Sequence, residues 1–192
     1  MRFPITNIHK QTGFTIVELL VVIVVIAILA AITVVAYNGI QGRGKDSRRF
    51  SDMAAIEKAL ELYKTDNGQY PAIALSGSGD LSGWEVSAKE AAGEFLTPLK
   101  PYGFSAGVPS DPINNATDAT INDARNNGHY TYAYFRYPAG NNGCDVNRGA
   151  FYVLGIIRTD GSGNAQTPNS PGFSCSYNWQ TAFSWVTGKY EK

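Results

Sequence analysis

One carboxylate stands beside a long apolar run, and it is the first candidate for chemistry. Every side chain from Leu19 to Ala36 is apolar except Thr33, and Glu18 immediately precedes this run. A carboxylate in a bilayer raises the free energy by up to about 2.5 to 3.5 kcal/mol at the centre and by less near the interface. We therefore expect Glu18 to have a function and a partner.

A second candidate is a phosphate-binding loop. The segment from Gly39 to Lys45, GIQGRGK, matches most of the pattern G-x-x-x-x-G-K. The pattern needs Ser or Thr next to reach magnesium, and a buried strand before the loop. Here Asp46 follows and an apolar helix precedes, so we do not expect nucleotide binding.

A third candidate is a calcium loop. Asp160, Ser162 and Asn164 have its first three spacings, but Ala165 replaces the required glycine and Pro171 the required glutamate. This pattern favours a polar turn.

The histidines add no further site. His9 and His129 are too few and too far apart for a metal cluster or, with a serine, a catalytic triad. His129 is interpreted as an ordinary residue at a strand edge. The sequence thus predicts no catalytic residue, no metal site and no cofactor.

The charge balance gives no reason to expect a nucleic-acid partner. There are 16 basic and 16 acidic residues, and only Lys189 and Lys192 are interleaved with the aromatic residues near the C-terminus. Stacking on nucleic acid would need more cations there, so these aromatics are expected to form a core.

The apolar run is long enough to cross a membrane. Its 18 residues cover roughly 27 Å at about 1.5 Å per residue. A cleavable secretory signal is less compatible, because Glu18 heads the run and Val34 to Ala36 fit a small-x-small site only loosely. Orientation stays open, since the basic residues after the run place the C-terminal part in the cytoplasm whereas the two cysteines favour an oxidising compartment.

The elements after the run position the rest of the chain. Gly39, Gly42 and Gly44 predict flexibility or local unwinding. From Lys45 to Thr65 an amphipathic helix is predicted, with a stripe formed by Phe50, Met53, Ile56, Leu60 and Tyr63. Asp66 to Gly68 and Pro71 mark its end.

The remainder is predicted to be mainly loop up to Asn127, with one short helix from Ser87 to about Leu96 that Ser87 and Glu90 cap. Strands are predicted around Tyr130 to Phe135 and over Phe151 to Ile157, paired as a hairpin with a long insertion. Phe183 and Trp185 indicate a third strand.

Cys144 and Cys175 lie in this polar C-terminal part. A disulfide between them would close a long loop and contribute roughly 3 to 4 kcal/mol. Two buried free thiols are the alternative.

Several of these segments together resemble type IV pilins and the related pseudopilins. The most specific is GFTIVELL, Gly13 to Leu20, and the helix end ELYKTDNGQYP and the later PSDPIN, Pro109 to Asn114, are also similar. The resemblance is good over residues 11 to 71 and weaker to about 157. Many relatives carry a proline within the long helix, whereas none lies between Pro4 and Pro71 here.

The resemblance implies an α+β fold, with a long N-terminal helix packed on a small antiparallel β-sheet. It divides the chain into a leader over 1 to 13, a helix over 14 to 66 with a membrane span over 14 to 36, and a head domain over 67 to 192. The head would carry a disulfide-bounded C-terminal region. Gly13 and Phe14 would be the processing site of a prepilin peptidase, which also methylates the amine of Phe14.

The resemblance also implies the partners. Glu18 would pair with the Phe14 amine of a neighbouring subunit, and the chain would self-associate into a helical filament with the pilus assembly machinery in the membrane. The head would lie outside the cytoplasmic membrane and later on the cell surface, in adhesion, twitching motility or DNA uptake, with DNA as a partner only of a competence pilin.

Three other functions remain open. A type II secretion or competence pseudopilin is the nearest, although the clear calcium loop of the major secretion pseudopilins is missing from the sequence after Asn67. A single-span surface protein that binds a ligand and never polymerises is the second. An enzyme is disfavoured because no cluster of nucleophile, base and orienting group can be named.

Overall fold

The computed structural model of the chain describes residues 15–73, 83–88 and 94–192, without the side chains of 34–36 and 38. The chain divides into two compact units, residues 1–41 and 42–192. We call residues 42–192 the head unit.

Helix α1, Ile16–Asn67, supplies residues to both units. It includes Gly39, Gly42 and Gly44, so the predicted unwinding at these glycines is wrong. Each glycine weakens a helix by about 1 kcal/mol, but continuing an existing helix adds a hydrogen bond per residue, whereas restarting one requires a new nucleus. The helix ends at Gly68, whose positive φ of 75° and N–H bond to the carbonyl of Lys64 (2.8 Å) are typical of a C-terminal glycine cap.

Four antiparallel strands form one sheet in the order β1-β2-β3-β4: β1 Glu85–Val86, β2 Tyr132–Tyr137, β3 Phe151–Ile156 and β4 Trp185–Tyr190. The register pairs Tyr134 with Leu154 and Leu154 with Thr187. The predicted hairpin and third strand are confirmed, although Phe183 precedes β4. A short helix α2, Ile121–Asn126, and 3-10 turns at Thr97–Tyr102, Asn141–Gly143, Val146–Arg148 and Trp179–Thr181 complete the described elements.

The second half of α1 packs on one face of the sheet. Met53, Ile56 and Leu60 are fully buried against a sheet face formed by Tyr132, Tyr134, Tyr152, Leu154, Ile156 and Trp185. The opposite face carries a second cluster that includes Ala133, Phe151, Val153, Trp179, Phe183 and Val186. β3 is buried on both faces and therefore reads as a continuous apolar run. The predicted fold class, α+β with a long helix on a small antiparallel sheet, is confirmed.

The helix predicted over Ser87 to Leu96 does not agree with its described parts. Ser87 and Ala88 form a turn, as do residues 94–96, while residues 89–93 lie outside the described residues. The Ser87 hydroxyl donates to the side-chain oxygen of Asn114 at 2.7 Å, and the Tyr132 N–H donates to it at 3.0 Å. The Ser87 hydroxyl therefore bonds a loop residue, Asn114, and the first residue of β2, Tyr132, instead of capping a helix.

One segment of the tail runs beside β4. The Thr167 and Gly172 N–H groups donate to the carbonyls of Ser184 (2.7 Å) and Val186 (2.9 Å). The Ser170 hydroxyl bonds both the N–H and the carbonyl of Val186, at 3.0 and 3.2 Å. We call residues 167–172 the flanking segment.

Candidate functional site

Glu18 lies in the first turn of α1 and forms a reciprocal cap with Thr15. Its Oε2 accepts hydrogen bonds from the N–H (2.8 Å) and the hydroxyl (2.7 Å) of Thr15, whose hydroxyl in turn accepts from the Glu18 N–H at 3.2 Å. This is the capping-box arrangement, and the spacing T-x-x-E was the sequence signal for it that we missed. The cap fixes the carboxylate at the positive end of the helix.

The second oxygen of Glu18 leaves room for another partner. Among the described residues Oε1 has no hydrogen bond, and the side chain is exposed. A carboxylate has roughly four lone-pair sites and can accept from two donors at once. Glu18 can therefore bind a further cation or N–H donor without leaving Thr15. The predicted processing residues, Gly13 and Phe14, lie outside the described residues.

The helix surface that follows Glu18 is apolar and exposed. Over Ile16–Thr33, α1 is long and apolar enough to cross a membrane by length and composition, and none of this window is buried within the chain. Leu20, for example, is 54% exposed. The one hydroxyl within Ile16–Thr33, that of Thr33, donates to the carbonyl of Leu29 at 2.6 Å and so needs no water. A contiguous apolar surface of this size marks contact with lipid or protein.

The segments that resembled a phosphate loop and a calcium loop in the sequence form other structures. Residues 39–45 are helical, so they form no phosphate loop. Asp160 accepts a hydrogen bond from Arg49, and Thr159 pairs with Gly163 across a tight turn, which agrees with the polar turn predicted there. Within the described residues no group of three or more His, Cys, Asp or Glu could hold a metal ion. His129 precedes β2 and lies 2.6 Å from Asp118.

A buried ion cluster joins α1 to two loops of the head unit, and sequence reasoning did not find it. Arg49 is fully buried. Its guanidinium donates to both oxygens of Asp111 (2.7 and 3.1 Å), to Asp46 (2.7 Å) and to Asp160 (2.6 Å). The ring of Tyr130 lies 4.8 Å away. We call Arg49, Asp46, Asp111 and Asp160 the Arg49 cluster.

The carboxylates of the cluster also organise the backbone around them. Asp46 accepts from the N–H groups of Asp160 (2.9 Å) and Gly161 (2.7 Å), and Asp111 accepts from that of Ile113 (2.8 Å). Each carboxylate thus contacts Arg49, and three anions share one cation; the backbone N–H groups supply further donors to Asp46 and Asp111.

The protonation of Arg49 follows from these contacts. Burial alone would lower the pKa of Arg49, but the hydrogen bonds to Asp111 and Asp160 outweigh it and hold the pKa above its ordinary value.

One sequence signal could have located Arg49. Arg49, Met53, Ile56 and Leu60 follow the helical spacing i, i+4, i+7, i+11, so the buried stripe begins with a cation.

The two cysteines are joined. Cys144 and Cys175 form a disulfide with their Cα atoms 4.9 Å apart and 31 positions apart in sequence. The bond connects the turn before β3 to the tail before β4, two segments that the sheet alone leaves unconnected.

Comparison with known proteins agrees with this geometry. Residues 8–34 match the family described as the prokaryotic N-terminal methylation motif. Type II secretion system core protein G of Vibrio cholerae is 41% identical over 109 residues, which is 57% of this chain and 70% of that protein. The Aeromonas hydrophila protein of the same name is 33% identical over 107 residues, 56% and 71% of the two chains.

A fimbrial protein is similar to a comparable extent. Fimbrial protein EcpC of Eikenella corrodens is 33% identical over 120 residues, 59% of this chain and 77% of that protein. No solved structure matches the chain significantly. With an exposed apolar helix, a capped glutamate at its start and a helix-on-sheet head, the chain belongs to the family of type IV pilins and pseudopilins.

Proposed function

We propose that this chain is a structural, non-enzymatic subunit of a type IV pilus. The observation that carries the proposal is the exposed apolar surface of Ile16–Thr33 with Glu18 at its start. Before assembly this surface would lie in the membrane, and after assembly the same residues of many subunits would cover one another. A contact repeated by rotation and translation builds an open helical filament.

Cleavage between Gly13 and Phe14 would prepare the subunit. A prepilin peptidase would remove the leader, residues 1–13, and the new amine of Phe14 would be methylated. The match to the methylation motif over residues 8–34 includes both positions. The amine would then bind the open oxygen of Glu18 on the neighbouring subunit, which gives the carboxylate the close partner that low dielectric demands.

The proposed orientation places the N-terminus in the cytoplasm and the head outside. The disulfide between Cys144 and Cys175 supports this direction, because disulfides persist in oxidising compartments. The partners would be other copies of this chain, the peptidase and the assembly machinery in the membrane.

The N-terminus of the mature chain tests the processing step. Mass spectrometry of protein from the native cell should find a chain that begins at Phe14 and carries one added methyl group. A mature chain that retains residues 1–13 would contradict the proposal and would favour a single-span protein that never polymerises.

Replacement of the carboxylate tests assembly. Glu18→Ala and Glu18→Gln should both leave the protein in the membrane and abolish filaments, because neither side chain can neutralise the neighbour's amine. Glu94→Ala, which removes an exposed carboxylate from the head unit, is the matched control and should form filaments normally. Normal filaments from the Glu18 variants would overturn the assembly role.

A pseudopilus subunit is the second candidate, and the names of the Vibrio and Aeromonas relatives favour it. Deletion of the gene distinguishes the two functions. Loss of surface filaments with normal protein export supports the pilus, whereas loss of protein export with normal surface filaments supports the secretion pseudopilus.

A further inference from the structure

A cleft of about 240 Å³ opens in the head unit between α2, the turn before Cys144 and the tail. Four aromatic side chains line it, and they come from distant parts of the sequence: Trp84, Tyr137, Tyr177 and Trp179. Asn122 of α2 and Asn142 contribute amides to its rim. Neither the apolar helix nor the Arg49 cluster contributes to this cleft.

The aromatic walls pack against one another within the chain. Trp179 is 2% exposed and contacts the rings of Tyr177 (5.1 Å between centroids) and Tyr137 (5.5 Å). Trp84 lies edge-on to Tyr137 at 6.1 Å. Tyr and Trp offer large contact areas with little conformational entropy to lose, so a ligand would bind a preformed surface.

The disulfide links the two segments that carry Asn142 and Tyr177. Asn142 lies two residues before Cys144, and Tyr177 lies two residues after Cys175. Asn142 also has a left-handed backbone, with φ 52° and ψ 29°. Among non-glycine residues, Asn adopts this conformation readily, because its short polar side chain can bond to the local backbone.

The two amides are uncommitted. Within the described part of the chain, the side chains of Asn122 and Asn142 form no hydrogen bond, and both residues are exposed. Each offers two donors and one acceptor oxygen to a ligand.

The cleft carries no charge. None of its lining residues is Asp, Glu, Lys, Arg or His. Burial raises the pKa of Tyr137 to about 12, so its phenol stays neutral at physiological pH. Phosphates and carboxylates would find no cation among these lining residues, which favours a neutral ligand over nucleic acid or an acidic sugar.

We propose that this cleft binds a neutral sugar ring, such as a hexose or an N-acetylhexosamine at the end of a glycan. The C–H face of a pyranose would lie on the Trp84, Tyr137 and Tyr177 rings, and its hydroxyls would bond to Asn122 and Asn142. The volume suits one ring, since pockets for larger drug-sized molecules measure about 300 to 1,000 Å³. The proposal does not depend on polymerisation.

The test measures binding to the full chain in a detergent that has no sugar headgroup. A panel of neutral methyl hexosides and N-acetylglucosamine is titrated while tryptophan emission and saturation-transfer NMR are recorded. Glucuronate and a proline-rich peptide are included, because aromatic grooves also bind polyproline helices. At least one neutral sugar should bind saturably, with a dissociation constant of about 1 mM or below, and more tightly than glucuronate.

Two exposed residues of the cleft serve as variants. Tyr177→Ala and Asn122→Ala should each weaken sugar binding about three- to tenfold. Asn126→Ala, on the same helix but outside the cleft, is the control and should bind as the unaltered chain does. The proposal is overturned by a panel without saturable binding, by unchanged affinity in both cleft variants, or by tighter binding of the peptide than of every sugar.

Discussion

The two halves of α1 meet different surroundings although they belong to one element. In Ile16–Thr33 the large apolar side chains are exposed all round, and the first turn holds the only acid, Glu18. In the half that belongs to the head unit, a stripe of Arg49, Met53, Ile56 and Leu60 is buried and the opposite side is polar. The second half finds its partner within the chain. The first half has no partner among the described residues of the chain, so its apolar surface is available to lipid or to another protein.

The largest effect is expected from the cation at the start of the buried stripe. Arg49→Met leaves Asp111 and Asp46 without their partner, and breaking a buried ion cluster in this way costs about 3 to 5 kcal/mol. Urea unfolding of the full chain in detergent measures this through tryptophan emission, since Trp84, Trp179 and Trp185 all belong to the head unit.

Arg48→Met is the control for Arg49. The Arg48 side chain is 61% exposed and lies 3.8 Å from Asp52, so its loss should change stability by less than about 1 kcal/mol. Equal losses in the two variants would mean that the Arg49 cluster does not hold the head unit together.

Leucine truncations compare the two halves directly. Leu60→Ala should destabilise the head unit by about 2 to 5 kcal/mol because it opens a cavity at a fully buried site. Leu62→Ala, at a site 46% exposed on the same helix, should change the unfolding free energy by only about 0.5 kcal/mol. Leu20→Ala should leave unfolding of the head unit unchanged. A similar loss in all three variants would erase the distinction between the halves.

A smaller effect is expected at the glycines. Gly44 has no atom within 4 Å of the position that a Cβ would take, so Gly44→Ala should stabilise the helix by up to about 1 kcal/mol. At Gly42 a Cβ would lie 3.1 Å from the Cβ of Asp160, so Gly42→Ala should gain less or lose stability. Urea midpoints measure both. Destabilisation by Gly44→Ala would mean that the helix is not continuous there.

The smallest effect concerns pH and Asp52, whose side chain is 16% exposed. Burial raises its pKa above the ordinary value of 3.8, and the hydrogen bond from Tyr132 (2.9 Å) offsets this only in part. Its contribution to stability is therefore present in acid and is lost as the pH rises through the folded-state pKa. Asp52→Asn should flatten the pH dependence of the unfolding free energy, measured by urea titration, in the acidic range from pH 3.8 up to the folded-state pKa. The change should be less than about 1 kcal/mol. Glu94→Gln, at an exposed carboxylate, should retain the original pH dependence, and an identical flattening there would contradict the assignment.

Periodic patterns were enough to predict the second half of α1 and the main strands, but they did not predict α2 and placed a short helix wrongly over Ser87 to Leu96. The stripe from Met53 to Leu60 follows helical spacing because one face of α1 is buried, and the β-branched and aromatic run of β3 is continuous because both of its faces are buried. Phe50 and Tyr63, at the ends of the predicted stripe, are partly buried and pack against the same cluster. The continuity of α1 through three glycines was not predictable from propensity, since helix propagation offsets the cost of single residues.

The contacts between distant segments could not be predicted. Arg49 and Asp111 are 62 positions apart, and Asp160 comes from the loop after β3. Spacing along the chain carries no information about such contacts, and neither does it show that Trp84 and Tyr177 line one cleft. Glu18 drew notice in the sequence because an acid beside an apolar run is unusual, but its contact with Thr15 was not predicted.

The flanking segment affects whether the sheets of two neighbouring molecules can pair edge to edge. β4 is an edge strand, and an edge with free N–H and C=O groups invites another sheet to extend it. Residues 167–172 bond to the carbonyl of Ser184, just before β4, and to the N–H and carbonyl of Val186 within it. The disulfide at Cys175 restrains the tail that follows. In the filament that we propose, the flanking segment would therefore oppose the joining of neighbouring sheets at the start of β4.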